Sequence, residues 1–87
     1  MSYFVYLLGS HKNSLFKTYV GYTSNLNKRL HEHNIGKGAK STRGRIWKII
    51  YTEKCSTRGE AMSREYYLKK NKKLRDKIKK KYKWIKK

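Results

Sequence analysis

The hydrophobic and polar positions along the chain predict three strands. The apolar run SYFVYLLG (2–9) and the alternating run LFKTYVGYT (15–23) are typical of strands, and the turn-forming residues of GSHKNS (9–14) join them into a hairpin. The segment IWKIIYTEKC (46–55) alternates well enough to be a third strand. We therefore expect a three-stranded sheet, either mixed or antiparallel.

Helical spacing first emerges in SNLNKRLHEHN (24–34). Leu26 and Leu30 are four residues apart, so they share one face of a helix, and that face is expected to pack on the core. Ser24 or Asn25 is placed to cap the helix at its start. The spacing therefore predicts a helix that follows the second strand directly.

Two further helices are expected toward the C-terminus. Thr57 followed by Glu60 fits a capping box, which predicts a helix running to about Lys70 and interrupted at Asn71. The basic segment that follows has a narrow apolar stripe at helical spacing, which predicts a docked helix with its lysines outward. The stripe is formed by Leu74, Ile78, Tyr82 and Ile85.

The order of these elements predicts an α/β fold, a small sandwich whose sheet is flanked by helices. Residues 1–70 are expected to form the domain, and residues 71–87 a basic C-terminal helix that packs on it or extends it. Eighty-seven residues are near the lower limit for a single hydrophobic core, so we expect one domain.

The net charge of the chain is the strongest indication of its binding partner. The chain has 24 Lys and Arg against 5 Asp and Glu, a net charge of +19, and twelve of its bases lie in residues 69–87. A charge this large costs self-repulsion and is typical of proteins that bind a polyanion, so we expect nucleic acid as the partner and no membrane. Without a signal or transmembrane segment, and with Cys55 as its one cysteine, the chain is expected to be soluble and cytoplasmic.

Five residues are candidates for chemistry. Tyr6 and Tyr19 lie on the two strands of the hairpin, so their hydroxyls can converge. Arg29 and His33 are four apart on one helix and share a face beside the core-facing leucines. Glu65 lies on the core-directed face of the second predicted helix, where a carboxylate is costly unless it is paired or binds a cation.

Each candidate also has a purely structural interpretation. The tyrosines could be core aromatics, and His33 could bond the carbonyls at the end of its helix. Glu65 could pair with Lys69, four residues later. In the Gly-rich loop NIGKGAKSTRGR (34–45), binding of phosphates competes about evenly with plain solubility. The loop residues considered for nucleic-acid binding are Lys40, Arg43 and Arg45.

Taken together, these segments resemble the GIY-YIG nuclease domain. The resemblance runs from about Tyr3 to Lys70, and it is strongest to small stand-alone bacterial members, with similarity to the catalytic modules of branched-DNA and excision-repair endonucleases. Five motifs in the family's order carry it: FVY (4–6), YVG (19–21) twelve residues later, TSNLNKRLHEHN (23–34), HNIGKGAKSTRGR (33–45) and EAMSREYYLKK (60–70).

The resemblance implies an enzyme, a metal-dependent endonuclease that hydrolyses phosphodiester bonds with a single Mg²⁺ or Mn²⁺. By this likeness Glu65 is the metal ligand, Arg29 neutralises the attacked phosphate, and Tyr6 and Tyr19 orient or activate water. His33 takes the position near the nucleophile. A hard ion needs few carboxylates, and arginine offers a planar fork to phosphate oxygens, so the residue types are consistent. The general base stays open, because tyrosine needs a lowered pKa whereas histidine does not.

Two positions depart from the family pattern. Phe4 stands where many relatives have glycine, which we expect to change strand packing. Tyr22 stands where the excision-repair nuclease has a lysine, so any mechanism that uses that cation carries over less well.

The substrate is expected to be structured or damaged DNA more than RNA, as in DNA repair, with a protein partner or a homodimer supplying specificity. The alternative is a basic nucleic-acid-binding module with the same fold and no catalysis, and a scaffold on ribosomal RNA ranks below it.

Overall fold

The protein is a single antiparallel sheet with helices on both faces. Its structure, a computed structural model, describes residues 2–12 and 15–86, with side-chain surroundings to residue 82. In chain order the elements are β1 (Tyr3–Lys12), β2 (Leu15–Thr23), α1 (Leu26–Asn34), β3 (Lys48–Cys55), α2 (Arg58–Lys70) and α3 (Lys72–Lys86), with a short 3-10 helix at Lys40–Thr42. The α/β class is confirmed. Within the described residues, no helix has the length and apolar character to cross a membrane.

β1 is the central strand, in the order β2-β1-β3, and both of its neighbours run antiparallel to it. Tyr6 therefore lies opposite Gly21 on one side and Thr52 on the other. Between Leu7 and Leu8 the register with β3 shifts, and Ile50 is the extra residue of this bulge. The sheet is thus antiparallel rather than mixed.

Two strand boundaries differ from those expected. β1 continues to Lys12, where the sequence predicted a turn from Gly9, because the side chain of Arg45 supplies polar partners to the buried Ser10. β3 begins at Lys48 instead of residue 46, because the Trp47 backbone N–H bonds to a side chain of α1 and not to a strand. Residues 13 and 14 of the predicted turn lie outside the described residues.

Alternation along β1 divides the core into two layers. Val5 and Leu7 face the layer that α2 and α3 cover. Tyr6 and Leu8 face the other layer, which contains Trp47 and the leucines of α1. Burying both faces explains why β1 is continuously apolar from Tyr3 to Leu8 rather than alternating with polar residues.

The helix ends follow the expected capping signals with one difference. Asn25, one of the two expected caps, accepts a hydrogen bond from the Lys28 backbone N–H at 3.1 Å. Thr57 likewise caps α2 by accepting from the Glu60 N–H. The full capping box is wrong, however, because Glu60 reaches the N–H of Ser56 rather than that of Thr57.

Asn71 separates α2 from α3, as predicted. Its backbone N–H bonds to the Tyr67 carbonyl at the end of α2, and its Oδ1 accepts from the Leu74 N–H at the start of α3. Leu74 and Ile78 then pack on the core. The ring of Tyr82 lies 5.9 Å, centroid to centroid, from that of Phe16. α3 is therefore docked; Ile85 lies outside the described side chains, and the division at residue 70 stays a prediction.

Candidate active site

The site forms where β1, β2 and α1 meet, and Tyr6 is its centre. The Tyr6 hydroxyl lies 2.9 Å from Nε2 of His33, and the two side chains are 2% and 0% exposed. The ring centroid of Tyr19 lies 6.5 Å from that of Tyr6 and 5.0 Å from that of His33. Two strands and one helix thus bring these three rings together.

Gly21 makes this arrangement sterically feasible. It faces Tyr6 across the β1–β2 pair, and the phenol ring lies directly over its backbone. A Cβ at Gly21 would lie 2.6 Å from Cζ of Tyr6 and closer still to its hydroxyl, which real Cβ atoms essentially never do. Glycine at position 21 therefore allows the close approach of Tyr6 to the backbone of β2.

Arg29 reaches the same tyrosine from α1. Its guanidinium opposes the rise that burial gives the pKa of Tyr6, and its Nη1 donates to Oε1 of Glu32 at 2.9 Å. Both ends of the Arg29–Glu32 pair are about one third exposed, so the pair borders solvent. An open groove of about 590 Å³ lies here; it is lined by Arg29, Glu32, Lys28 and the residues between β2 and α1.

The electrostatic surroundings set the protonation of the buried pair. Burial raises the pKa of the Tyr6 phenol, and the guanidinium of Arg29 opposes that rise. Burial also lowers the pKa of His33, and the positive charge of Arg29 lowers it further. Near neutral pH, therefore, Tyr6 keeps its proton and His33 is a neutral imidazole able to accept one.

Glu65 is the carboxylate of this region on α2. Its negative charge adds the smallest of the effects that raise the pKa of Tyr6, after burial, and among the described residues no hydrogen bond or ion pair joins it to Tyr6, Arg29 or His33. Oε2 of Glu65 also pairs with Nζ of Lys69 at 3.2 Å, as the structural interpretation of the sequence anticipated. Among residues 2–12 and 15–86, no group of three or more His, Cys, Asp or Glu could hold a metal ion.

The three cationic loop candidates differ in their surroundings. Lys40 and Arg43 are exposed and flank Thr42, whose hydroxyl lies 2.9 Å from Nδ1 of His33. Arg45 instead holds the hairpin: it donates to the Ser10 hydroxyl and carbonyl and to the Leu15 carbonyl. We therefore keep Lys40 and Arg43 as phosphate-binding candidates, whereas Arg45 is committed to hydrogen bonds that stabilise the β1–β2 hairpin.

Three residues of the site were not predicted from the sequence. Glu32 forms an ion pair with Arg29, and its i,i+3 spacing from that arginine was a signal that could have predicted the pair. Thr42 contacts His33, and the Cβ-free surface of Gly38 lies against the His33 ring. The contacts of Thr42 and Gly38 join α1 to a loop, and no short-range spacing in the sequence predicts them.

Comparisons with known proteins identify the family. The model of the GIY-YIG catalytic domain matches residues 2–83. The chain belongs to the GIY-YIG family. This is a family of nucleases, so nucleic acid is the partner that membership implies.

Several relatives within the family are UPF0213 proteins. A UPF0213 protein of Bacillus licheniformis is 51% identical over 79% of this chain and 69% of its own length. YazA of Bacillus subtilis is 46% identical over 79% of this chain and 68% of its own, and a protein of Natronomonas pharaonis is 40% identical over 77% and 76%. These names state neither an activity nor a substrate.

One solved structure is similar to this GIY-YIG chain. It is the solution NMR structure of the UPF0213 protein BH0048 from Bacillus halodurans, which is 34% identical in sequence. The match covers 90% of this chain and 82% of that protein, with a TM-score of 0.49.

Proposed function

We propose that this protein is a divalent-metal-dependent endonuclease that hydrolyses phosphodiester bonds in nucleic acid, with structured or damaged DNA as its substrate. The observation that carries the proposal is the buried hydrogen bond between Tyr6 and His33, with the positive charge of Arg29 acting on the pKa values of both. Hydrolysis of a phosphodiester needs a proton acceptor for the attacking water and a cation for the developing charge. Those two requirements meet at Tyr6.

The proposed roles follow from the geometry. Tyr6 and His33 act as one hydrogen-bonded pair that removes a proton from water, because the neutral His33 can accept what Tyr6 passes on. Arg29 binds the scissile phosphate with its planar guanidinium. Tyr19, packed on both rings, orients the water or the phosphate.

Glu65 is the proposed ligand of the divalent ion. Its carboxylate is 20% exposed, and among the described residues its ion-pair partner is Lys69, whose side chain is 59% exposed. Mg²⁺ is commonly bound through one or two carboxylates while it keeps several waters, so a lone glutamate beside the substrate phosphate fits a weakly held ion. When bound, Mg²⁺ or Mn²⁺ would supply Lewis-acid stabilisation of the phosphate.

The charged groups of the site are free to change partners when substrate binds. Arg29 is paired with Glu32, and Glu65 with Lys69, in ion pairs that reach solvent. Such pairs are worth only about 0–1 kcal/mol, whereas an arginine–phosphate contact is charge-assisted and bidentate. A phosphate can therefore displace Glu32 at small cost.

The nucleic acid is expected to lie across Lys40 and Arg43 at the site and along the lysines of α3. A net charge of +19 favours contacts to the backbone, which position a substrate without reading its sequence. We therefore propose that the substrate is recognised by shape, and that a protein partner or a second copy adds any further selectivity.

The test is a cleavage screen with variants that remove one role each. Wild type, Glu65→Gln and Arg29→Met would be incubated with branched, flapped, nicked and single-stranded DNA and RNA, with Mg²⁺, Mn²⁺ or chelator. We expect metal-dependent cleavage by the wild type and a loss of about 10²–10³-fold in each variant, the usual cost of removing a group that stabilises the transition state.

Matched controls separate these roles from general loss of charge. Glu60→Gln removes a carboxylate from the same helix as Glu65, and Lys28→Met removes an exposed cation next to Arg29. Both should cleave like the wild type, and circular dichroism should show all four variants folded. Cleavage that survives both Glu65→Gln and Arg29→Met would sink the proposal.

A second candidate is a nucleic-acid-binding module without catalysis. The observation that favours it is that Arg29 and Glu65 each already have an ion-pair partner within the chain. In this case binding should weaken steeply with salt, through release of counterions, and no product should form with any metal. Reproducible metal-dependent product from purified protein would exclude it.

A further inference from the structure

A threonine hydroxyl lies at the far side of the His33 ring from Tyr6. Thr42 Oγ1 lies 2.9 Å from Nδ1, and the Tyr6 hydroxyl lies 2.9 Å from Nε2; Thr42 and His33 are both 0% exposed. A neutral imidazole has one N–H, so one nitrogen donates and the other accepts. The two hydrogen bonds therefore run in one direction through the ring, and that direction decides whether His33 can take a proton from Tyr6.

The threonine end fixes the direction first. The Thr42 hydroxyl has a single proton, and its bond to the Ala39 carbonyl oxygen, at 2.9 Å, uses that proton. The same oxygen accepts the Ala39 backbone N–H at 3.2 Å. What it offers to His33 is its remaining lone pair, so Nδ1 must carry the hydrogen.

The tyrosine end gives the same answer independently. The Tyr6 hydroxyl is buried, and among the described residues His33 is its one hydrogen-bond partner. The phenolic proton of this buried residue then needs an acceptor of its own. Nε2 of His33, at 2.9 Å, is the acceptor that the described residues provide.

We propose that Thr42 is a positioning residue that holds His33 as the Nδ1–H tautomer, leaving Nε2 free to accept the proton of Tyr6. Its catalytic meaning rests on the proposed nuclease function, whereas the tautomer itself is a property of the folded chain. The Ala39–Thr42 turn supplies the third member of a relay whose first two members lie on β1 and α1.

The proton balance of the step is complete. A proton leaves the attacking water for the Tyr6 oxygen as the Tyr6 proton moves to Nε2 of His33. The water oxygen forms the new bond to phosphorus, the bond to the leaving oxygen breaks, and the leaving oxygen takes a proton from solvent. The imidazolium formed on His33 keeps its Nδ1–H on Thr42 and later returns the Nε2 proton to solvent.

The first experiment reads the tautomer without any substrate. Long-range ¹H–¹⁵N correlation spectra of the ¹⁵N-labelled protein at neutral pH distinguish a protonated ring nitrogen from an unprotonated one. A His33→Gln variant identifies the His33 signals among those of the three histidines. We expect a protonated Nδ1 and an unprotonated Nε2; a protonated Nε2 would overturn the proposal.

The second experiment removes the hydroxyl. Thr42→Val keeps the shape of the side chain, Thr42→Ser keeps the hydroxyl, and Ser41→Ala removes an exposed hydroxyl from the same turn. In the valine variant we expect a mixed tautomer and a kcat lower by about 10–100-fold, the range known for losing the partner that orients a metal-bound histidine, with KM unchanged. The serine and Ser41→Ala variants should behave like the wild type.

The outcomes separate this proposal from the nuclease proposal. If no variant and no wild type cleaves anything, the nuclease function fails while the wild-type tautomer still decides the role of Thr42. If Thr42→Val does not fold, the proposal is tested by the His33 tautomer of the wild type and of Thr42→Ser. Both proteins should then have the Nδ1–H tautomer. A folded Thr42→Val with the pure Nδ1–H tautomer and a wild-type kcat would refute the role of Thr42.

The pH profile adds a readout that a merely structural role would not move. The ionisable groups facing His33 are Tyr6 and Tyr19 from the strands and Arg29 and Glu32 from α1. Thr42→Val leaves all four in place. We therefore expect the acidic limb of its kcat profile to move from the wild-type position, while that of Thr42→Ser stays.

Discussion

Gly38 offers a direct test of how the histidine is held. A Cβ built on Gly38 would lie 2.7 Å from Cγ and 2.8 Å from Cε1 of His33, and closer still to Nδ1. The φ of Gly38 is outside the left-handed region that only Gly36 and Gly44 adopt among the described glycines, so alanine is allowed by the backbone. In Gly38→Ala the new methyl group and the imidazole must therefore compete for one space.

The magnitude follows from two costs. Forcing an extra methyl group into a packed interior costs about 1–3 kcal/mol. A displaced His33 also gives up its hydrogen bond to Thr42 or to Tyr6, which costs about 1 kcal/mol more. The sum is about 2–4 kcal/mol, and in a domain of this size each kcal/mol lowers Tm by about 4–8 °C.

The assay is urea unfolding followed by circular dichroism, with a calorimetric Tm beside it. Gly59→Ala is the matched control, because a Cβ there meets nothing within 4 Å and alanine is better than glycine inside a helix by about 0.5–1 kcal/mol. Gly38→Ala should be destabilised and Gly59→Ala stabilised. A Gly38→Ala protein within about 0.5 kcal/mol of the wild type would refute the close packing on His33.

Three other perturbations test the fold and the site. Asn71→Ala should cost about 0.5–2 kcal/mol in urea unfolding, because it removes the side-chain cap of α3. Arg45→Met should cost about 1–3 kcal/mol by the same measurement, because it leaves the buried Ser10 hydroxyl without its donor. His33→Gln should make stability less sensitive to pH between 7 and 5. Burial holds the pKa of His33 below 6.5, so the wild type loses stability as pH falls through the folded pKa.

Arg45→Met has a matched control, and His33→Gln has an outcome that would contradict it. Arg43→Met removes an exposed guanidinium from the same loop and should change stability by less than about 0.5 kcal/mol. If it costs as much as Arg45→Met, loss of charge rather than the Ser10 contact is responsible. An unchanged pH dependence in His33→Gln would mean that another group governs stability in that range.

The sequence predicted those strands and helices in which the spacing of apolar residues indicates which side chains are buried. The apolar run of β1 and the leucine pair of α1 could be assigned because burial follows directly from their spacing. The extension of β1 through Ser10 could not, because a serine is buried in a strand only when a distant arginine, here Arg45, meets its polar groups. Such a partner is 35 residues away and leaves no local pattern.

The residues of the candidate site also divide into those that local sequence patterns predicted and those that depend on distant contacts. Convergence of Tyr6, Tyr19 and His33 was expected from spacing and from the family resemblance, and the structure places the three rings together. Thr42 was not expected, because its contact depends on how a Gly-rich loop folds back over α1. The proposed catalytic residues could be found because they lie in recognisable sequence motifs. A residue proposed only to orient one of them, such as Thr42, has no pattern that distinguishes it from other threonines.

The two halves of the proposed proton relay lie in parts of the molecule with different resistance to opening. Tyr6 is on the central strand, bonded to neighbours on both sides, so its backbone should exchange hydrogen only when the whole domain unfolds. Thr42 is in a short turn outside the sheet, which can open at lower free energy. Brief opening of that turn would release His33 while the sheet stays intact. On warming, activity is therefore expected to fade before the protein melts.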